Sequence, residues 1–178
     1  YEAIVAGGKG INVSVMLHHL GVESTALGFV AGFTGKEIQR LVREAGCHER
    51  FLPLLEGFSR INVKMKTDTE SEINGAGPVI PKASLDALMT MLDDLQEGDI
   101  LVLSGSVPKS VPRTIYRDMA ARLEKKGVMI AADASGELLT DILPYSPFLI
   151  KPNHHELGEL FGLEIDTAEE AILYAKKL

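Results

Sequence analysis

The chain has 178 residues, 46% of them hydrophobic and 24% charged, which suits a soluble fold with one sizeable core. A net charge of -7 argues against a nucleic-acid binder, whose surface is usually basic. No apolar run reaches the roughly 18 residues of a membrane span, and one cysteine, Cys47, excludes an internal disulfide and suits a reducing cytoplasm.

The N-terminus shows no basic segment followed by a long apolar core, so no signal peptide is read there. Both ends read as cut: Tyr1 stands just ahead of a glycine loop, and Lys176-Lys177-Leu178 lies inside a helical pattern without a stop. The loop is Ala6-Gly7-Gly8-Lys9-Gly10-Ile11-Asn12, followed by a helix expected over 12–20 and closed by Gly21. Glycines let a backbone approach a ligand, a helix start adds unpaired N–H groups, and Lys9 adds a full positive charge. That combination suits an anion such as phosphate. The Walker A pattern fails because Gly10 follows Lys9, and the dinucleotide fingerprint fails because Val13 fills its last glycine position. Alone, the loop reads equally well as an anion cradle or as a turn with a solvated lysine.

Thr25 to Ala31 reads as a buried strand. Thr34 and Glu37 have the spacing of a capping box, with a helix ending at Gly46. Phe51 to Leu55 contains Pro53 and suits an edge strand. Ser59 to Thr67 alternates, with Ile61, Val63 and Met65 on one face and Arg60, Asn62, Lys64 and Lys66 on the other. A half-buried strand is expected there, then a turn over 68–71 and a return strand at 72–74, forming a small antiparallel insertion.

Beyond Pro81 an α/β alternation resumes. Ser84 is expected to cap a helix; Asp99 to Leu103 reads as a buried strand leading into Ser104-Gly105-Ser106. Ser110 and Pro112 are expected to open a helix ending near Lys125-Lys126-Gly127. Val128 to Ala132 and Phe148 to Lys151 read as strands, and helices are expected over 153–161 and after Thr167. Such alternation predicts a parallel sheet flanked by helices, with ligands at the carboxyl ends of its strands.

Several polar groups fall at those ends. Asp133 closes a strand, where its carboxylate is a candidate for a metal or hydroxyl and equally a turn residue. In Lys151-Pro152-Asn153-His154-His155-Glu156, a lysine followed by Asn-x-x-Glu at a helix start suits nucleotide phosphates and a hydrated Mg²⁺. The same spacing is a capping box, and the two roles are compatible. Arg60 and Lys64 share a strand face with Asn62 between them, which suits a phosphate or a solvated edge. Gly75-Ala76-Gly77-Pro78 has proline where an acid would be needed and reads as a loop.

Taken in order, five segments resemble the ribokinase-like, phosphofructokinase-B-type sugar kinases. They are 6–13, 59–64, 72–75, Leu-Ser-Gly-Ser-Val-Pro at 103–108 and Lys-Pro-Asn-His-His-Glu-Leu at 151–157. The resemblance implies an α/β core over 1–50 and 77–178, with a β-sheet lid inserted at 51–76. It implies that Gly7, Gly8 and Asn12 bind the sugar and that Lys9, Arg60 and Lys64 face its existing phosphate. Asn62, Ser104 and Ser106 complete the substrate residues. Lys151, Asn153 and Glu156 would serve the nucleotide phosphates, with Glu156 reaching Mg²⁺ through water and Asp133 a further metal candidate. The implied reaction moves the ATP γ-phosphoryl group to a ketohexose phosphate, first of all fructose 1-phosphate to the 1,6-bisphosphate. A kinase for tagatose 6-phosphate or another sugar, and a non-catalytic sugar-phosphate-binding module, are the alternatives. The family's catalytic base, in a Gly-Ala-Gly-Asp segment, is expected beyond Leu178, so no catalytic residue is assigned within the chain and the chain alone is expected to be inactive. Family members pair through their lids, so a homodimer is also implied.

Overall fold

A computed structural model of the chain describes residues 3–66 and 70–178. Two compact units emerge: Tyr1–Leu88 with Pro108–Ser110, and Met89–Val107 with Val111–Leu178.

In the first unit, helix α1 spans Lys9–His19 and begins three residues before the expected start. The reason is Gly8, which serves as N-cap at φ 115, ψ 138, a conformation costly for any residue with a side chain. Strand β1 (Thr25–Ala31) lies where expected and pairs in parallel with β2 (His48–Leu54), from Thr25 opposite His48 to Ala31 opposite Leu54. The boundary anticipated at residue 51 therefore falls inside β2. Pro53 is tolerated because β1 is the sole sheet partner of β2 among the described residues.

Helix α2 (Gly32–Glu44) connects these strands, and here the expected capping box does not form. Ala31 is the N-cap, and its methyl group has no acceptor to contribute. Thr34 sits inside the first turn, where its hydroxyl donates to the Ser59 carbonyl at 2.9 Å. Glu37 instead accepts from Arg40 at 2.6 Å. Glu49, with its side chain only 5% exposed, ties α2 to β2. It accepts from Arg43 Nε at 3.0 Å and from the Phe51 amide at 2.9 Å.

Strands β3 (Asn62–Lys66) and β4 (Glu70–Asn74) form the expected antiparallel hairpin, with Asn62 opposite Asn74 and Lys64 opposite Glu72. Of the expected turn at 68–71, Asp68 and Thr69 lie outside the described residues, while Glu70 and Ser71 belong to β4. The half-buried face does not materialise: Val63, Met65 and Ile73 are 45%, 45% and 61% exposed. Alternation reports which residues share a face, not whether anything covers it. Gly75-Ala76-Gly77-Pro78 is a loop, as expected. Helix α3 (Lys82–Met91) starts two residues before Ser84, so that serine is not its cap.

The second unit holds a three-stranded parallel sheet in the order β5 (Ile100–Ser104), β6 (Met129–Asp133), β7 (Leu149–Ile150). Strand β5 is covered on one side only: Leu103 is buried, whereas Ile100 is 52% exposed. Helix α4 (Ile115–Leu123) begins later than Ser110, whose hydroxyl instead accepts from the Ile80 amide at 3.1 Å. Its buried residues Ile115, Tyr116, Met119, Ala120 and Leu123 form one helical stripe. Leu92, Leu123, Leu139 and Ile142 are fully buried. Helix α5 (Glu137–Thr140) is a single turn, too short to announce itself by periodicity. Helices α6 (His154–Phe161) and α7 (Ala168–Ala175) carry complete capping boxes, Asn153 with Glu156 and Thr167 with Glu170. Parallel strand pairs joined through helices, with a small antiparallel hairpin, are the elements the resemblance implies.

A Cβ on Gly158 would lie 2.4 Å from the Leu163 carbonyl oxygen. Gly158→Ala gains about 1 kcal/mol of helix propensity but meets backbone that cannot rotate away, so a net loss of about 1–3 kcal/mol is expected in denaturant unfolding. At Glu49, burial pushes the carboxyl up, but the Phe51 amide and Arg43 outweigh it and hold it below its ordinary value of 4.5. Its contribution is therefore complete above that value and fades as pH falls through the depressed one. Glu49→Gln should flatten this acid-side loss of stability in unfolding curves measured between neutral and acid pH.

Candidate functional site

The candidate groups fall on local frameworks within each unit. In the first, the opening bond of α1 runs from the Asn12 amide to the Gly8 carbonyl at 2.9 Å. The amides of Lys9, Gly10 and Ile11 thus precede the helical ladder, and the helix start concentrates partial positive charge there. Lys9, read as a loop residue from sequence, is the first helical residue. Gly7 and Gly8 stand in open space, where an added Cβ would meet nothing within 4 Å.

On the hairpin, Arg60 is held by two neutral oxygens. Its Nε donates to Asn62 Oδ1 at 2.6 Å and its Nη2 to Asn74 Oδ1 at 2.7 Å. These acceptors orient the guanidinium without cancelling its charge. Lys64 is differently placed: its ammonium meets Glu72 Oε1 at 2.6 Å. The hydrogen bond from Lys64, followed by the Asn74 amide and the Lys64 charge, holds the Glu72 carboxyl below the usual range. Glu72 accordingly stays ionised beside the cationic face. Arg60, Asn62 and Lys64 are thus gathered on one exposed surface, and sequence reasoning missed Asn74 and Glu72 as its other members. Their signal was the hairpin register, which the chain alone does not define without the length of the turn.

In the second unit the parallel ladder aligns the strand ends. Ser104 is opposite Asp133 in the β5–β6 register, and the Lys151 amide donates to the Ala132 carbonyl at 2.9 Å. Lys151 Nζ lies 3.0 Å from Asp133 Oδ1, so a metal role for Asp133 competes with an ion pair. The turn after Ser104 is pinned twice. Gly105 donates its amide to the Asp133 carbonyl at 3.2 Å and accepts the Tyr116 hydroxyl at 3.1 Å. Burial, helped by the negative charge of Asp133, pushes the Tyr116 phenol up, which keeps it a neutral donor. Ser106 is exposed just beyond this turn.

At the start of α6 the Glu156 amide donates to Asn153 Oδ1 at 2.9 Å, and the Asn153 amide donates to Glu156 Oε2 at 2.8 Å. One oxygen of Glu156 is thereby committed to the cap. His154 and His155, adjacent in sequence, bring their rings to 3.9 Å between centroids. Among the described residues no group of three or more His, Cys, Asp or Glu side chains could hold a metal ion. A lone carboxylate beside phosphates and waters is nevertheless how Mg²⁺ is commonly held, and Glu156 fits that mode. Cys47 is buried, with its thiol near the Ala45 carbonyl.

Comparison with known proteins places the chain in a family. The pattern of pfkB family carbohydrate kinases matches residues 3–178. A 1-phosphofructokinase from Bacillus subtilis is 47% identical over 178 residues, covering all of this chain and 58% of the relative. A D-tagatose-1-phosphate kinase from Bacillus licheniformis is 36% identical, over 96% of this chain and 56% of its own length. The chain thus spans a little over half the length of these curated relatives. Among solved structures, phosphofructokinase-2 from Escherichia coli in complex with fructose-6-phosphate superposes with a TM-score of 0.86 at 25% identity, covering 96% of this chain and 57% of that one. The chain belongs to the pfkB family of carbohydrate kinases.

Proposed function

We propose that this chain supplies the sugar-phosphate grip and the nucleotide-phosphate groups of an ATP-dependent kinase for a ketohexose 1-phosphate, with fructose 1-phosphate as the substrate. The observation that carries the reading is Arg60, whose charge is oriented by Asn62 and Asn74 and not neutralised by them. A guanidinium so held suits a phosphate dianion, which draws on both charge and planar donor geometry. In this reading Lys9 and Lys64 add to that grip, and Gly7, Gly8 and Asn12 contact the sugar. Ser104 and Ser106 offer hydroxyls to the sugar as well. The reaction would transfer the γ-phosphoryl group to the C6 hydroxyl, giving the 1,6-bisphosphate.

Lys151 is assigned to the nucleotide phosphates, and Asn153 with Glu156 to a hydrated Mg²⁺. That ion would supply charge neutralisation on the phosphates, while the capping box keeps Glu156 in place. Tagatose 1-phosphate is the second reading, favoured by the Bacillus licheniformis relative. It shares the C1 phosphate that Arg60 would recognise. Pairing of two copies through the hairpin is part of the proposal, supported by the exposed apolar side chains of Val63, Met65 and Ile73. A cytoplasmic location is also part of it, consistent with the single free thiol.

In the intact gene product, Arg60→Ala should raise KM for fructose 1-phosphate on the order of tenfold to a hundredfold, with KM for ATP little changed. Glu72→Gln should have the opposite sign. It releases Lys64 from its carboxylate partner, so KM for the sugar phosphate should fall by about twofold to fivefold. A rise instead would contradict an anion at this face. Lys151→Ala should act on the other substrate, raising KM for ATP about tenfold and leaving sugar-phosphate affinity intact by calorimetry.

A further inference from the structure

Ser59 is one of two buried polar residues in the described chain, at 6% exposure, and it immediately precedes Arg60. All three of its polar atoms are committed to the place where β1 ends and α2 begins. Its hydroxyl accepts the Ala31 amide at 2.9 Å. Its own amide donates to the Ala31 carbonyl at 3.0 Å, and its carbonyl accepts the Thr34 hydroxyl at 2.9 Å. Ala31 is the last residue of β1 and the N-cap of α2, so both of its main-chain polar groups are tied to one serine.

Space for this knot comes from Gly35. A Cβ there would lie 3.0 Å from Val30 Cβ and 3.2 Å from the Ser59 hydroxyl oxygen. Arg60 is therefore fixed at both extremities: its backbone through Ser59, and its guanidinium through Asn62 and Asn74. The asparagines ride on the exposed hairpin. Ser59 is what refers Arg60 to the β1–α2 framework.

We propose that Ser59 is a positioning residue for sugar-phosphate recognition, setting the place of Arg60 relative to the start of α2. The proposal rests on the reading of Arg60 as an anion-holding group. Its hydroxyl need not touch the ligand; it acts by holding the peptide that carries the guanidinium. A serine that merely stabilised the fold would lower stability without a preference for one substrate.

Steady-state kinetics on the intact gene product with fructose 1-phosphate and ATP decide it. Ser59→Ala should raise KM for the sugar phosphate about tenfold, leave KM for ATP unchanged, and be largely restored by Ser59→Thr, which keeps the hydroxyl. In an Arg60→Ala background, Ser59→Ala should add less than about a further twofold, because the residue it positions is gone. Equal losses in both backgrounds, or no loss in Ser59→Ala, would overturn the proposal while leaving the role of Arg60 standing. An unchanged sugar-phosphate KM in Arg60→Ala would overturn the Arg60 reading itself. Should Ser59→Ala not fold, Thr34→Val removes the donor to the Ser59 carbonyl and is read in the same cycle by the same criteria.

Discussion

In the second unit, parallel pairing is the constraint on which the candidate chemistry depends. A parallel ladder brings strands to an end on the same side, and their polar end residues arrive as neighbours. Ser104, Asp133 and Lys151 are far apart in sequence, yet the registers of β5, β6 and β7 set them side by side. No side-chain interaction has to assemble this row; backbone bonds do so. Side chains then refine it, as where Asp133 meets Lys151 and Tyr116 anchors Gly105.

The two cationic neighbourhoods are built by different routes. On the hairpin, Arg60 is steered by neutral amides, whereas Lys64 shares its charge with Glu72. On the sheet, Lys151 is steered by a carboxylate. A lysine so paired is aligned before a ligand comes, but an incoming phosphate must compete with its partner. An arginine held by asparagines has neutral direct partners, although the Glu72 carboxylate is near enough to feel its charge. Exposed ion pairs of this kind are individually weak, so exchange of partners is energetically accessible.

Much of the fold was legible in the sequence, for identifiable reasons. β1 spans the residues expected of it, and both late capping boxes form, because their signals are local. Thr34 and Glu37 carry the same spacing yet make no cap, since Gly32 starts the helix earlier and Ser59 engages the threonine from a distant part of the chain. Hairpin alternation correctly separated Arg60, Asn62 and Lys64 from Val63 and Met65, but it could not say that the apolar face is uncovered. Candidate residues were legible as types and positions. Their partners, Asn74, Glu72 and Ser59, depend on register and on long-range bonds that no short window of sequence contains.

The alternation of the hairpin also limits how this segment can change over evolutionary time. Successive residues of a strand face opposite ways, so inserting or deleting one residue inverts everything beyond it. A single-residue indel between Arg60 and Lys64 would exchange a cationic surface for an apolar one. Changes in steps of two would preserve the faces, though they would still part Asn62 from Asn74. Length variation is therefore disfavoured among the paired residues that hold the guanidinium.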